Sequence, residues 1–273
     1  MSYGILMQFD DNLDNDGLFG DAYKSPSIVS GTAVYTTSDN GKAFDVGSAV
    51  VDVGTSSNYL GLPDPFNLNL NIKVDSDATD GVILACDELD GDAPTWAISL
   101  IDTASTPKIE FRSWNSVGNA SALPNIAVPS GNGWNNFNFS NSSSALYYKV
   151  NGGSANSNTT WAIYSHWSSG GLFQVSIGRS QYGSTPSSNP LSTTSAATGV
   201  HLDWIAAALG YEGFAANTNT NTSVRSETPE GTNLFLENEP VPEFGTPTKT
   251  TNSNNAIGQL PSGGGETQKE FWS

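Results

Sequence analysis

Apolar and polar side chains alternate without a break in FNLNLNIKV (66–74). Phe66, Leu68, Leu70, Ile72 and Val74 interleave with Asn67, Asn69, Asn71 and Lys73. A period of two places the apolar set on one face of a strand and the amides on the other. The same alternation returns in TWAISLI (95–101), KIEFRSW (108–114), FQVSIG (173–178) and VHLDWIAA (200–207). Turn-forming stretches lie between them: DSDATDG, DELDGDAP, SGNG, NGG and SSGG. VNGGS (150–154) predicts a tight hairpin, because Asn-Gly accepts the positive φ angles of a type I′ turn. WIAAALGYEGF (204–214) carries helix-forming alanines, yet it continues a strand pattern and ends in glycine, so no helix is expected. About a dozen short strands predict an all-β chain folded as a two-sheet antiparallel sandwich.

The pattern fades from about Gly213. NTNTNTSVRSETPEGTNLF and the stretch from Pro240 to Gln268 hold prolines, a triple glycine and little periodicity. Residues 1–212 are therefore read as the sandwich and 213–273 as a low-complexity, extended C-terminal arm. Apolar islands in the arm, Leu234, Phe235, Leu236, Phe244, Phe271 and Trp272, are candidates for docking on a partner.

Hydrophobic residues make up 37% and charged residues 14% of the chain, and Ser, Thr, Asn and Gly fill the difference. That is the composition of a loop-rich β protein and lacks the charge density of a disordered chain. With 27 acidic against 10 basic residues the net charge is −17. Nucleic acid is excluded as a partner, since displacing phosphate counterions needs a basic stripe. Cys86 stands alone, so an internal disulfide and a thiolate metal cluster are excluded, and its apolar setting GVILAC predicts burial. MSYGILMQFDD lacks the marks of a secretion signal, and no apolar run approaches membrane-spanning length. Neither a signal peptide nor membrane insertion is expected.

Taken in order, several segments resemble the concanavalin A-like, laminin G-like jelly roll of phage and bacterial surface proteins. GILMQFDDNLDNDG resembles its opening strand and Asp/Asn-rich loop, and GKAFDVGSAVVDVG its Phe-Asp segment. GWNNFNFSNSSSALYYKVNGGS (133–154) resembles its Gly-Trp strand and Asn-Gly hairpin. VSIGR (175–179) and HLDWIAAALGY are similar to its last two strands. The resemblance spans residues 3–214 and leaves the arm without a counterpart. It implies Trp134, Phe137 and Phe139 in the core, with Asn135, Asn136 and Asn138 facing out. It also implies a structural Ca²⁺ between the first loop and the closing strand. Asp10, Asp11, Asp14 and Asp16 would supply hard oxygen ligands from the loop and Asp203 from the strand; the alternative is a solvated acidic turn. No other cofactor is called for.

Catalysis finds little support. Glu88, Asp90 and Asp92 have the spacing of carboxylates on one strand face, but Gly91 and Pro94 break the strand and no aromatic flanks the acids, so DELDGD is read as a surface loop. His166 and His201 have no metal-ligand spacing. TTWAIYSHWSSGGLF (159–173) gathers Trp161, Tyr164, His166 and Trp167, which would stack on sugar rings or fill a core or subunit contact; Trp114 is a second, exposed candidate. The expectation is a non-enzymatic structural or adhesion protein of a tailed-phage virion, made in the host cytoplasm. It would decorate or cement neighbouring subunits, copies of itself and other virion proteins. The alternative is a glycan-binding, lectin-like host-recognition module of a tail fibre.

Overall fold

The computed structural model describes residues 2–14, 26–38, 41–56, 66–89, 93–114, 120–129, 133–142, 145–158, 173–181, 191 and 193–209. Fifteen strands occur among them, and no helix. In chain order they are β1 (Ser2–Gln8), β2 (Ser27–Gly31), β3 (Tyr35–Ser38), β4 (Gly41–Asp45), β5 (Ala49–Ser56), β6 (Phe66–Thr79), β7 (Gly81–Glu88) and β8 (Ala93–Ile101). The rest are β9 (Lys108–Trp114), β10 (Ala120–Ala127), β11 (Trp134–Ser142), β12 (Ala145–Val150), β13 (Asn156–Asn158), β14 (Phe173–Ile177) and β15 (Thr198–Leu209).

They form two antiparallel sheets. The eight-stranded sheet runs β13-β12-β11-β6-β15-β4-β3, with β1 also on β15; the seven-stranded sheet runs β10-β9-β8-β7-β14-β5-β2. The alternation read in the sequence is realised between them. Leu68, Leu70 and Ile72 of β6, Phe137 and Phe139 of β11, and Leu202 and Ile205 of β15 meet Leu84, Cys86, Trp96, Ile98 and Phe111 of the other sheet in one buried core. The Phe111 and Phe139 rings, one from each sheet, lie 5.1 Å apart and tie the layers together, while Trp96 stacks on Phe111 at 6.0 Å. Each such ring contributes roughly 1.5–3 kcal/mol through burial. Burial also pushes the Cys86 thiol up, which keeps it protonated and inert.

Asn151 and Gly152 take φ of 49° and 72°, as the type I′ reading of the Asn-Gly hairpin requires. Two expectations are corrected. DSDATDG is not a free loop: β6 continues to Thr79, which pairs with Thr198, although Asp75–Ala78 bulge out of the ladder. Trp134 is not in the core either. It pairs with Lys73 on the outward side of the sheet and is only half-buried.

Candidate functional site

The outward face of the eight-stranded sheet follows from strand register. Gln8 of β1 pairs with Trp204 of β15, Trp204 with Asn71 of β6, and Asn71 with Asn136 of β11, giving one row across four strands. At about 4.8 Å per strand it runs roughly 14 Å from end to end. The next row holds Ala206, Asn69, Asn138 and Lys149. A bulge between Leu202 and Trp204 shifts the alternation of β15, turning the indole outward and away from the core.

Outward does not mean wet. Gln8, Trp204, Asn71 and Asn136 are 8%, 0%, 2% and 1% exposed. The expected solvent-facing role of Asn136 and Asn138 is therefore corrected: both point away from the core and both are buried. Asn135 lies on the inward side opposite Ile72, where its Oδ1 accepts from Asn151 Nδ2 at 2.8 Å. Two of the row's amides are pinned by their nitrogens. Asn71 Nδ2 donates to Asp203 Oδ2 at 3.1 Å, and Asn136 Nδ2 donates to the Leu70 carbonyl at 3.4 Å. Their Oδ1 atoms, together with Gln8 Nε2, Trp204 Nε1 and Ser140 Oγ, are buried and have no hydrogen-bond partner. Leaving a buried polar atom unpaired costs about 1–3 kcal/mol. All five lie on one face and are covered within the chain itself.

Beside the row, Asp203 is fully buried and accepts from Ser38 Oγ at 2.7 Å as well as from Asn71. His201 Nε2 lies 2.8 Å from Asp75 Oδ2, and Lys73 Nζ lies 3.0 Å from the other oxygen of that carboxylate. Burial works to raise Asp75, but the hydrogen bonds and charges of His201 and Lys73 outweigh it and hold the carboxyl below its usual range.

The outward face of the seven-stranded sheet is organised differently. Arg112, Ala97, Ala85, Ser176 and Asp52 form a row over five strands. Trp114 and Leu191 pack on its small residues with Val82, making a second apolar cluster. Ion pairs flank that cluster: Arg112 with Glu110 at 2.8 Å, and Arg179 with Asp52 at 2.9 Å. DELDGD, read as a surface loop, instead begins inside β7: Asp87 and Glu88 are the last two residues of that strand, and Asp87 is buried and accepts from Ser180 Oγ at 2.8 Å and the Gln181 amide at 2.7 Å.

Trp114 is thus corrected as an exposed sugar platform. The alternation of KIEFRSW turns it outward, but Ala85 and Ala97 leave room for the indole to pack flat, and none of it is exposed. Of the acidic loop, Asp10, Asp11 and Asp14 are exposed. Asp10 Oδ1 accepts from the Lys42 amide at 3.1 Å, and Lys42 Nζ sits 3.9 Å from Asp11. Next to that loop, the Asp203 backbone carbonyl accepts from the Phe9 amide at 3.3 Å. Among the described residues no group of three acidic, His or Cys side chains converges as metal ligands. Asp16, Asp90, Asp92, Trp161, Tyr164, His166, Trp167, Leu234, Phe235, Leu236, Phe244, Phe271 and Trp272 lie outside the described residues.

No family model and no curated protein matches the chain. Solved structures do. The binding domain of botulinum neurotoxin DC in complex with SialylT is 11% identical, with a TM-score of 0.50 over 76% of this chain and 47% of that one. The same domain in complex with rat synaptotagmin II is 12% identical, with a TM-score of 0.50 over 76% and 48%. Domain 4 of AbnA, an extracellular arabinanase from Geobacillus stearothermophilus, in complex with arabinotriose, is 17% identical, with a TM-score of 0.49 over 76% and 91%. The chain spans about half the length of the two neurotoxin domains. At these identities the likeness is one of fold. The protein is a concanavalin A-like jelly-roll sandwich, the fold that the order of its sequence motifs implied.

Proposed function

We propose that this chain is a non-catalytic adhesion module that binds glycans through the outward face of its eight-stranded sheet. The fold alone cannot choose among the functions it hosts, so the reading rests on the site. The carrying observation is the concentration of amides, a hydroxyl and an indole along that face: Gln8, Asn71, Asn136, Ser140 and Trp204. Sugar hydroxyls both donate and accept, and amides beside an aromatic ring are what a saccharide site uses. Contact in place of bond-making is supported by the carboxylates of the two outward faces, which serve as acceptors for neighbouring side chains: Asp203 for Ser38 and Asn71, Asp52 for Ser176 and Arg179, Glu110 for Arg112, Asp87 for Ser180.

The test is a broad immobilised-glycan screen run beside a reducing-end assay. Retention on at least one glycan with no reducing ends released is expected. It should be lost in the Ser140→Ala, Asn136→Leu double variant while the circular dichroism spectrum stays unchanged. Silence across the screen, or hydrolysis, sinks the reading.

A second role, cementing neighbouring subunits of a tailed-phage virion, is favoured by one observation. Ile28 and Val29 on the edge strand β2, with Val34 beside it, are 45–46% exposed, the large apolar side chains most open to solvent among the described residues. Nothing charged guards that edge, SIVSG, against another strand. This observation and the composition of residues 213–273 support a proposed place in the virion, with virion proteins and further copies as proposed partners. A structural Ca²⁺ held by Asp10, Asp11, Asp14 and Asp16 stays part of the proposal.

A further inference from the structure

An asparagine followed by glycine is open to attack by its own backbone, because no Cβ shields the next nitrogen. The sequence holds three such pairs, at Asn40, Asn132 and Asn151, and only Asn151 lies among the described residues. Its turn sits at the open rim of the eight-stranded sheet. Residues 151–157 are all exposed, the Val150 carbonyl accepts from the Gly153 amide at 2.9 Å, and β13 beyond is an edge strand paired with β12 over three residues. Asn151 itself is tied to β11 at three points. Its backbone amide donates to the Asn136 carbonyl at 2.9 Å, its Oδ1 accepts from the Asn136 amide at 2.8 Å, and its Nδ2 donates to Asn135 Oδ1 at 2.8 Å. Neither side chain is an arbitrary amide flip: Asn151 Oδ1 meets an N–H, and Asn135 Nδ2 donates to the Gly133 carbonyl at 3.0 Å. Both amide atoms of Asn151 are thus turned to β11, and Cγ does not swing onto the Gly152 nitrogen while those two bonds hold.

We infer that Asn151 is a site of spontaneous deamidation, held latent by the closed turn and unmasked when the β12–β13 hairpin lets go of β11. In the open turn the Gly152 nitrogen gives its proton to base and bonds to Asn151 Cγ, and Nδ2 leaves as ammonia. Water then adds to one or the other carbonyl of the cyclic imide, giving aspartate or isoaspartate; nothing is oxidised or reduced. The product does not remake the clamp. A carboxylate oxygen takes the place of Nδ2 and faces Asn135 Oδ1 with no proton between them. Isoaspartate also routes the backbone through Cγ, lengthening a turn whose φ angles of 49° and 72° suit ordinary residues. Exposed edge hairpins open at little cost, so a transient opening becomes a permanent loosening of β13 and the end of β12.

The experiment incubates the full chain at neutral and alkaline pH, folded and in urea, and follows the peptide containing Asn151 by mass spectrometry, where an acid replacing an amide raises the mass. Conversion should be faster at alkaline pH and roughly tenfold or more slower in the folded chain than in urea. Asn135→Ala removes the acceptor of Nδ2 and should speed conversion roughly fivefold in the folded chain, with the rate in urea unchanged. Gly152→Asn tolerates the left-handed turn but sets a Cβ beside the attacking nitrogen, and should suppress conversion in urea. Asn151→Asp, which mimics one product, should lower Tm and speed hydrogen exchange at Ser157 in β13. Equal rates folded and in urea overturn the clamp. An Asn151 that stays unmodified in urea overturns the site, and an Asn151→Asp chain with the parent's Tm and exchange overturns the loosening. If Asn135→Ala fails to fold, the ratio of folded to urea rates decides alone.

Discussion

Asp75 and Asp80 show how individual carboxylates tie this fold to pH. Burial acts to raise both, but His201 and Lys73 hold Asp75 down, and Asp80 accepts from Thr103 Oγ1 at 2.6 Å, the Thr103 amide at 2.9 Å and the Asp102 amide at 3.2 Å. Each folded-state pKa lies below the ordinary 3.8. Such a group contributes stability that is present above its unfolded pKa and is lost as pH falls through the folded one. The urea midpoint should therefore hold between pH 7 and 5 and drop below about pH 4. In Asp80→Asn the midpoint at pH 6 should be lower and the acid drop smaller; an identical drop would show that Asp80 adds nothing. None of this was legible in DSDATDG, which reads as a polar turn. The partners His201 and Thr103 lie 126 and 23 residues away along the chain from the carboxylates they hold, and only the folded chain brings them together.

At the level of elements, the strand readings stood where one face meets the core. KIEFRSW is β9 to the residue, and FQVSIG lies within one residue of β14. Strand periodicity tells which residues share a face, but not whether that face is wet. Asn136 and Asn138, which the resemblance turned out of the core, and Trp114, read as an exposed candidate, lie on outward faces and are buried, because burial depends on what packs above a sheet. The bulge in β15 has the same character: a one-residue shift turns Trp204 outward, and VHLDWIAA does not announce it. Glycine supplies a sharper test at the start of β7. The segment 194–197 crosses there, with the Val82 amide donating to the Ser195 carbonyl at 2.8 Å and the Ala197 amide to the Val82 carbonyl at 3.0 Å. A Cβ on Gly81 would meet the Ala197 nitrogen at 2.2 Å and the Ala196 carbonyl carbon at 2.4 Å, both backbone atoms. Gly81→Ala should therefore lower stability by about 3 kcal/mol in equilibrium unfolding. A loss under 0.5 kcal/mol would mean that the crossing segment moves freely aside.

For the whole molecule the open edge and the arm carry the assembly reading. Removing residues 213–273 should leave a folded, monodisperse domain that no longer incorporates into particles. Val29→Lys should shift any concentration-dependent assembly seen by light scattering toward the monomer, with Tm within about 1 °C of the parent because the side chain is exposed. Normal incorporation of the truncated chain, together with unchanged scattering of the variant, would end the cementing role. The sequence by itself determined the two antiparallel layers, the hairpin at Asn151-Gly152 and the absence of helix among the described residues, because a period of two and turn chemistry are local properties of a chain. Tertiary structure alone decided that an amide row crosses four strands with donors at one end and acceptors at the other. Register couples residues as distant as Gln8 and Trp204, and burial leaves their polar atoms unpaired; neither quantity exists until the sheets close.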